Sequence, residues 1–540
     1  MSAPASVVTR RSPSRRAPVA PAPAPPEAPL PIPAPVVGAP PARGWLVSLM
    51  VVVIGMFMAV LDTSIVNVAI PHIQTQFGGS NDDVQWVVTA YTLSMGVVVP
   101  VSGWLGDRFG LRRIYNLALV LFVAGSALCG LAWSLNILIV FRILQAIGGG
   151  LLPAISMAMV YRIAPRERIG MAMGLYGLGI VFAPALGPLL GGYLVQYVDW
   201  RLIFYINVPI GVLGLVSAIA ILPRFRSGTE NRLDALGFAT ICTSLFSLLL
   251  ALSEGSNWGW TSYRVLGLFT VGGLTMALFV VVELSVEQPM LDVRLFRYWA
   301  FTNSTLLIGI LMAGLFAGFF YVPLFIQEGQ GTGAFDTGLI LLPSALVTAV
   351  LMPISGRLYD MVGSRWPASI GLLITAYGTY LMHNLGPDTS RGQVVLWMSV
   401  RSLGMGLAMM PIMTGAMAVI PTAKVARASA MSNIVQRSSA ALGLAVLTSV
   451  LTSQQAQQLA GRAALVPAVS PGSTSLQGVA NSGTQGVLGL VRGTQVWVFG
   501  NAIDDLFLLT AGITAIGVLL AVMLPNAPAR RAGGGPVPTD

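Results

Sequence analysis

Asp62 stands in Leu61-Asp62-Thr-Ser-Ile-Val-Asn67-Val-Ala-Ile-Pro71, late in an apolar run that begins near residue 45. An acid in such surroundings can carry a proton, because low polarity favours the neutral acid and a nearby cation favours the carboxylate. The matching cation is Arg142, about six residues into the apolar run that opens near Asn136. At about 1.5 Å of rise per helical residue, Asp62 lies roughly 13 Å inside Pro71 and Arg142 roughly 9 Å inside its own end, so the two charges share a depth zone. An ionised side chain in a membrane helix costs at least about 2.5 to 3.5 kcal/mol, so it normally faces a partner or a cavity. A movement that alters either influence on Asp62 would load and release a proton. The plainer alternative is a static ion pair that fixes helix register.

Two further arginines, Arg401 and Arg437, fall inside apolar runs with no acid visible at matching depth. They could line the second half of a cavity, although backbone carbonyls or water would satisfy them equally, and a structural role is the favoured reading. Tyr91, Asn67 and Gln145 are plausible polar contacts for a ligand. Met405, Met409, Met410, Met413 and Met417 form a flexible, polarizable row that could line a pocket for varied apolar molecules, or simply fill core and face lipid. Cys129 and Cys242 sit inside apolar runs, and His72 and His383 are far apart, so neither a disulfide framework nor a metal site is indicated.

A second kind of chemistry, gating, belongs to the charged turn Gly103-Trp-Leu-Gly-Asp107-Arg108-Phe-Gly110-Leu-Arg112-Arg113. There a carboxylate can pair with an arginine or a helix terminus in one state and release it in another. Asp360 is its reduced copy, with Met361 where the first turn has Arg108. Gly187, Pro188, Gly191 and Gly192 allow close backbone approach and a local bend, either as an interface that favours one access state or as ordinary small-residue packing.

The elements that must position these groups are membrane helices. The 540 residues are 55% hydrophobic and 9% charged, with mean hydropathy +0.77, too few charges for a fold surrounded by water. Fourteen spans of about 20 residues can be drawn, at 45–70, 84–106, 114–133, 136–161, 169–195, 202–223, 235–254, 264–284, 300–327, 336–356, 366–384, 393–420, 427–452 and 503–524. With both termini cytoplasmic, 22 of the 30 basic residues fall on the cytoplasmic side, five outside and three within spans, the division a correct count should give. The net charge of +10 is thereby explained without nucleic acid. Residues 1–43 read as a disordered Pro/Ala-rich basic tail with no cleaved signal, 453–502 as a long outer loop, and 525–540 as a second cytoplasmic tail.

Pro100-Val-Ser-Gly-Trp-Leu-Gly-Asp-Arg-Phe-Gly-Leu-Arg112 recurs 253 residues later as Pro353-Ile-Ser-Gly-Arg-Leu-Tyr-Asp-Met-Val-Gly-Ser-Arg365, and Arg142 to Pro153 has a counterpart in Arg401 to Pro411. Two motifs in register imply parallel halves, spans 1–6 and 9–14, related by an axis along the membrane normal. Residues 44–224 and 299–524 are then two six-helix bundles, with 225–298 holding two inserted helices. The fold class expected is an all-α polytopic membrane protein of fourteen transmembrane helices.

At these residues the chain resembles the major facilitator superfamily, in particular its fourteen-helix drug:proton antiporter branch, the EmrB-like and QacA-like exporters. The charged turn at 103–113 is similar to the superfamily's loop motif. Leu61 to Pro71 and Asp199-Trp-Arg-Leu-Ile-Phe-Tyr-Ile-Asn207-Val-Pro209 resemble branch motifs, and the stretch from Gly174 to Gly192 resembles the antiporter motif. The resemblance implies a major facilitator fold, alternating access, and export driven by proton entry through the acid of span 1 and the arginine of span 4. It implies amphipathic, cationic drugs or related metabolites as substrates, no cofactor beyond the proton gradient, and a monomer in the bacterial cytoplasmic membrane. For some relatives it also implies an envelope adaptor. A symporter, or an exporter of one endogenous metabolite, would use the same fold. A membrane enzyme or sensor is disfavoured, since neither a convergent catalytic set nor a Gly-rich phosphate loop is present and the tails are short.

Overall fold

The computed structural model describes residues 44–224, 233–287, 289–386, 388–421, 424–465 and 483–526, and among them no strand occurs. The terminal tails expected at 1–43 and 525–540 lie almost wholly outside the described residues.

Among the described residues fourteen helices form the scaffold. The first bundle holds α1 (Trp45–Phe77), α2 (Asn81–Phe109), α3 (Leu111–Gly130), α4 (Leu135–Ile163), α5 (Ile169–Tyr197) and α6 (Leu202–Ile221). Two inserted helices follow, α7 (Ala235–Trp258) and α8 (Tyr263–Ser285). The second bundle holds α9 (Trp299–Leu324), α10 (Ala334–Val362), α11 (Arg365–Leu381), α12 (Arg391–Ala418), α13 (Val425–Leu465) and α14 (Gly483–Val522). Thirteen of them are long and apolar enough to cross a membrane. The other, α11, has 17 residues and runs directly into a 3-10 turn at Met382–Asn384.

Local chemistry explains where helices start and stop. Ser134 and Ser390 accept N–H bonds at the starts of α4 and α12, and Ser80 and Asp83 close a reciprocal capping box on α2. The repeated glycines Gly110 and Gly363 end α2 and α10 at φ of 89° and 84°, a left-handed backbone that side chains disfavour. That geometry, conserved between the halves of one chain, is what the two turn motifs have in common.

Three boundaries differ from the sequence reading. Pro71, taken as the end of the first span, lies inside α1, which continues to Phe77. A proline within a membrane helix removes one hydrogen bond without ending the helix. The segment 453–502 is helical wherever it is described, continuing α13 to Leu465 and opening α14 at Gly483, so only 466–482 fall outside the described residues. Asp504 and Asp505 therefore lie within α14 rather than at its N-terminus.

Helices α1 to α6 pack among themselves, as do α9 to α14, and the bundles meet along a seam made by α5 with α10 and α2 with α13. If α1 to α6 map onto α9 to α14, these two pairs exchange with each other, so the seam carries the pseudo-symmetry of the repeat. Small residues bring α5 and α10 together: a Cβ on Gly174 would stand 2.6 Å from the Met352 carbonyl oxygen, and one on Gly338 would stand 3.0 Å from the Leu189 nitrogen. The inserted pair α7 and α8 pack on each other, with α7 against α2 and α13. The linker after α8 is held by Asp292, whose Oδ2 lies 2.6 Å from Nζ of Lys424, the only lysine in the chain.

Candidate functional site

Asp62 is fully buried in α1, and donors from two other helices surround its carboxylate. Arg142 Nη1 donates to Oδ2 at 2.5 Å, Gln145 Nε2 donates to Oδ1 at 2.9 Å, and Asn207 Nδ2 donates to the same Oδ1 at 3.2 Å. Arg142 and Gln145 are three residues apart on α4 and so share a face. Asn207 stands just after a break in α6, where Leu202–Tyr205 gives way to Asn207–Ile221. That break lets its amide reach both Asp62 and, at 3.2 Å, the Ser126 hydroxyl of α3.

Arg142 is anchored independently of the acid. Its Nε donates to the Val87 carbonyl at 3.2 Å, its Nη1 also reaches Gln145 Oε1 at 2.8 Å, and its guanidinium lies 3.7 Å from the centroid of the Tyr91 ring. Glycines permit this crowding: a Cβ on Gly125 of α3 would fall 2.6 Å from the Gln145 Cα, and one on Gly149 would fall 2.6 Å from the Tyr91 hydroxyl. A carboxylate so placed can exchange its ionic partners for a proton while the cation keeps a carbonyl, an amide and an aromatic face.

Of the residues singled out from sequence, Asp62, Arg142, Gln145 and Tyr91 are brought together. Asn67 is not: it is exposed, five residues along α1 and on another face. Asn207, not singled out from the sequence, is the asparagine that joins the carboxylate. The sequence signal for it is an amide inside an apolar span, within the stretch Asp199 to Pro209. We expect Asn207→Ala to cost about 1 kcal/mol of stability, because Gln145 still holds the same carboxylate oxygen; a loss beyond about 3 kcal/mol in a thermal melt would contradict this.

Met405 and Met409 of α12 are buried in the main apolar core at 2% and 0% exposure, so the structure packs them rather than opening them to a cavity. The row lies in the core where α12 meets α10 and α11. Arg401 is also buried. Its guanidinium donates to the Gly314 carbonyl of α9 and would collide with any Cβ on Gly318. By the repeat it corresponds to Arg142, but glycines and a backbone carbonyl stand where the first half has an acid. Arg437 of α13 is half-buried and donates to Met95 Sδ at 3.7 Å.

The charged turns assemble at the seam. Asp107 lies 3.5 Å from Arg427 of α13 and 3.8 Å from Arg162 of α4, so its ionic partners are not the arginines beside it in sequence. Arg108 rests over Trp104 and Phe109, Arg112 donates to the Ile219 carbonyl, and Arg113 is exposed. Gly103 faces the backbone of Ala426 and Arg427, where a Cβ would be 3.2 Å from the Arg427 Cα. Asp360, far from being the weaker copy, accepts the N–H groups of Gly170 and Met171 at 2.8 and 3.1 Å, capping the start of α5 from across the seam. Asp107→Asn is expected to change the melting temperature little, since these ionic contacts are long and partly exposed, typically worth no more than about 1 kcal/mol. A drop of many degrees in a thermal melt would sink that reading.

The glycines of α5 serve two faces. A Cβ on Gly187 would overlap the Ser64 hydroxyl and one on Gly191 would stand 3.0 Å from Ile65, both on α1 just past Asp62, with Pro188 between them. Gly192 faces α10, 3.2 Å from the Phe335 nitrogen on the same basis.

Comparisons with known proteins agree with this architecture. Residues 52–444 match the family model of the Major Facilitator Superfamily. The MFS-type transporter YhcA of Bacillus subtilis is 37% identical over 75% of this chain and 76% of its own. The tetracenomycin C resistance and export protein of Streptomyces glaucescens is 32% identical over 75% of this chain and 74% of its own. Among solved structures, the proton:xylose symporter XylE aligns with a TM-score of 0.55 at 14% identity, covering 87% of this chain and 94% of that one, a likeness of fold alone.

Proposed function

The chain belongs to the major facilitator superfamily of membrane transporters, and from that premise we propose that it is a proton-coupled antiporter exporting amphipathic drugs or related metabolites by alternating access. The observation that carries the proposal is the Asp62 carboxylate, buried among donors from α4 and α6. When Asp62 takes a proton, its attraction for Arg142 is lost, while Arg142 keeps Val87, Gln145 and Tyr91. The tie of α1 to α4 and α6 is then weakened. Because α1 beside Asp62 rests on the glycines of α5, and α5 forms the seam with α10, a proton at Asp62 can bias which end of the seam is open. A substrate that prefers the deprotonated form would complete the exchange.

The relative named for resistance and export supports an exported drug-like substrate. In this reading the basic ends of the helices, with Asp107 and Asp360, are cytoplasmic, the membrane is a bacterial inner membrane, and the proton gradient is the energy source. A monomer is sufficient for the cycle, and the outer ends of α13 and α14 are where an envelope adaptor would reach it.

The test is dye movement in proteoliposomes under an imposed pH gradient, using ethidium and carboxyfluorescein as a cationic and an anionic probe. Movement of either dye that requires the gradient supports antiport. Failure of both to respond would remove the proposal.

A further inference from the structure

We propose that α13 presents a recognition face for an anionic group on the transported molecule, anchored by Arg437 and extended by Asn433 and Ser429. The inference rests on the transporter reading above and names the chemistry that its seam would select.

Ser429, Asn433 and Arg437 are spaced four apart on α13 and form one stripe. The stripe looks across the seam into the first bundle, where it meets sulfur: Asn433 Nδ2 lies 3.8 Å from Met157 Sδ, and Arg437 Nη1 lies 3.7 Å from Met95 Sδ. The Asn433 amide is also held by the Ser429 carbonyl of its own helix at 2.9 Å, which leaves its second N–H on the thioether, whereas for Arg437 Nη1 the thioether, a weak acceptor, is a poor match for a guanidinium. The Ser429 hydroxyl and Arg437 Nε are buried with no hydrogen-bond partner among the described residues. No ion pair is formed by Arg437 among the described residues either, although a guanidinium stays ionised and is costly to hold in a membrane interior unanswered.

The charge balance of the interior points the same way. Asp62 already answers Arg142, and Arg401 is laid on the Gly314 carbonyl within its own bundle, away from the seam. Arg437 is left as a cation on the surface that must open for a ligand to enter, which favours an anion over the cations expected from sequence. Its fork suits a carboxylate, accepted through two parallel N–H bonds, while the Asn433 amide and Ser429 hydroxyl can donate beside it. Met95 and Met157 are unbranched and adaptable, so the same site can cover an apolar body. Amphipathic organic carboxylates are the class that fits.

The test is equilibrium binding of carboxyfluorescein, read by anisotropy on the full-length protein in lipid nanodiscs, with ethidium as the cationic control. The intact protein should bind carboxyfluorescein. Arg437→Gln should weaken that binding roughly ten- to a hundredfold, Arg437→Lys should weaken it less, and neither should weaken ethidium. Asn433→Asp supplies an internal acid one turn from Arg437 and should depress anion binding comparably, which covers the case that Arg437→Gln does not fold. No binding by the intact protein, or equal binding by folded Arg437→Gln or Asn433→Asp, overturns the proposal. Anion binding without any gradient-driven transport would leave this face standing and remove the antiport reading. Gradient-driven ethidium transport without anion binding would do the reverse.

Discussion

Asp62→Asn is expected to bring gradient-driven transport down to the level of protein-free liposomes while the protein stays folded and still binds its ligand. The asparagine keeps an acceptor for Gln145 and Asn207 but cannot gain or lose a proton in the working range, so the exchange has nothing to couple to. Removing one partner of a buried ion pair costs about 3 to 5 kcal/mol, because the other charge is left uncompensated. Here Arg142 retains the Val87 carbonyl, the Gln145 amide oxygen and the Tyr91 ring, so the loss for Asp62→Asn should fall below that range, whereas Asp62→Leu should show it in full. Transport assays on matched reconstitutions, with thermal melts alongside, separate the two effects. A variant that still couples would make the Asp62–Arg142 pair a structural tie and move the proton site elsewhere.

The second large effect is expected at Gly356, where α10 crosses the start of α5. A Cβ there would fall on the Gly170 carbonyl, a backbone atom that cannot rotate away, and the Asp360 cap on Gly170 and Met171 would be pushed off with it. Gly356→Val should therefore hold this end of the seam apart and lower transport at least tenfold, in line with an overpacking cost of about 1 to 3 kcal/mol set against one state only. Its counterpart in the first half, Gly103, leaves more room, with the Arg427 Cα at 3.2 Å from a built Cβ, so Gly103→Val should be milder. Spin labels placed at this end of α5 and α10 should show a longer distance in Gly356→Val than in Gly103→Val. Equal distances and equal rates would mean that the seam closes elsewhere.

The contrast between these two glycines shows what could be seen in the sequence and what could not. Their equivalence is legible, since both stand in the repeated turn motif, and the same repetition with the basic-residue pattern gives the helices and their grouping. The Asp62–Arg142 pair is legible for a related reason: lone charges in apolar runs have few partners to choose from. Pairings among many candidates are not. Arg427 lies 320 positions from Asp107, and nothing local distinguishes it from Arg108 or Arg112 as the nearer ally. Asn207 hides because an amide at the break of an apolar helix changes neither charge nor periodicity, and its reach depends on where α6 bends. For Met405 and Met409 the sequence leaves pocket and core both open, and it takes the packing of α10 and α11 on the row to make it core.

The Lys424–Asp292 contact gives the molecule a built-in chemical address. Apart from the chain's own amino terminus, no other primary amine is present, and its nitrogen is partly open to solvent while the carboxylate it touches is nearly closed off. An acylating reagent would therefore mark the full-length protein at one internal point without any engineered cysteine. The rate of that reaction would follow how often the linker after the inserted helices lets go of the second bundle, and so time the motion of a region that transport assays do not see.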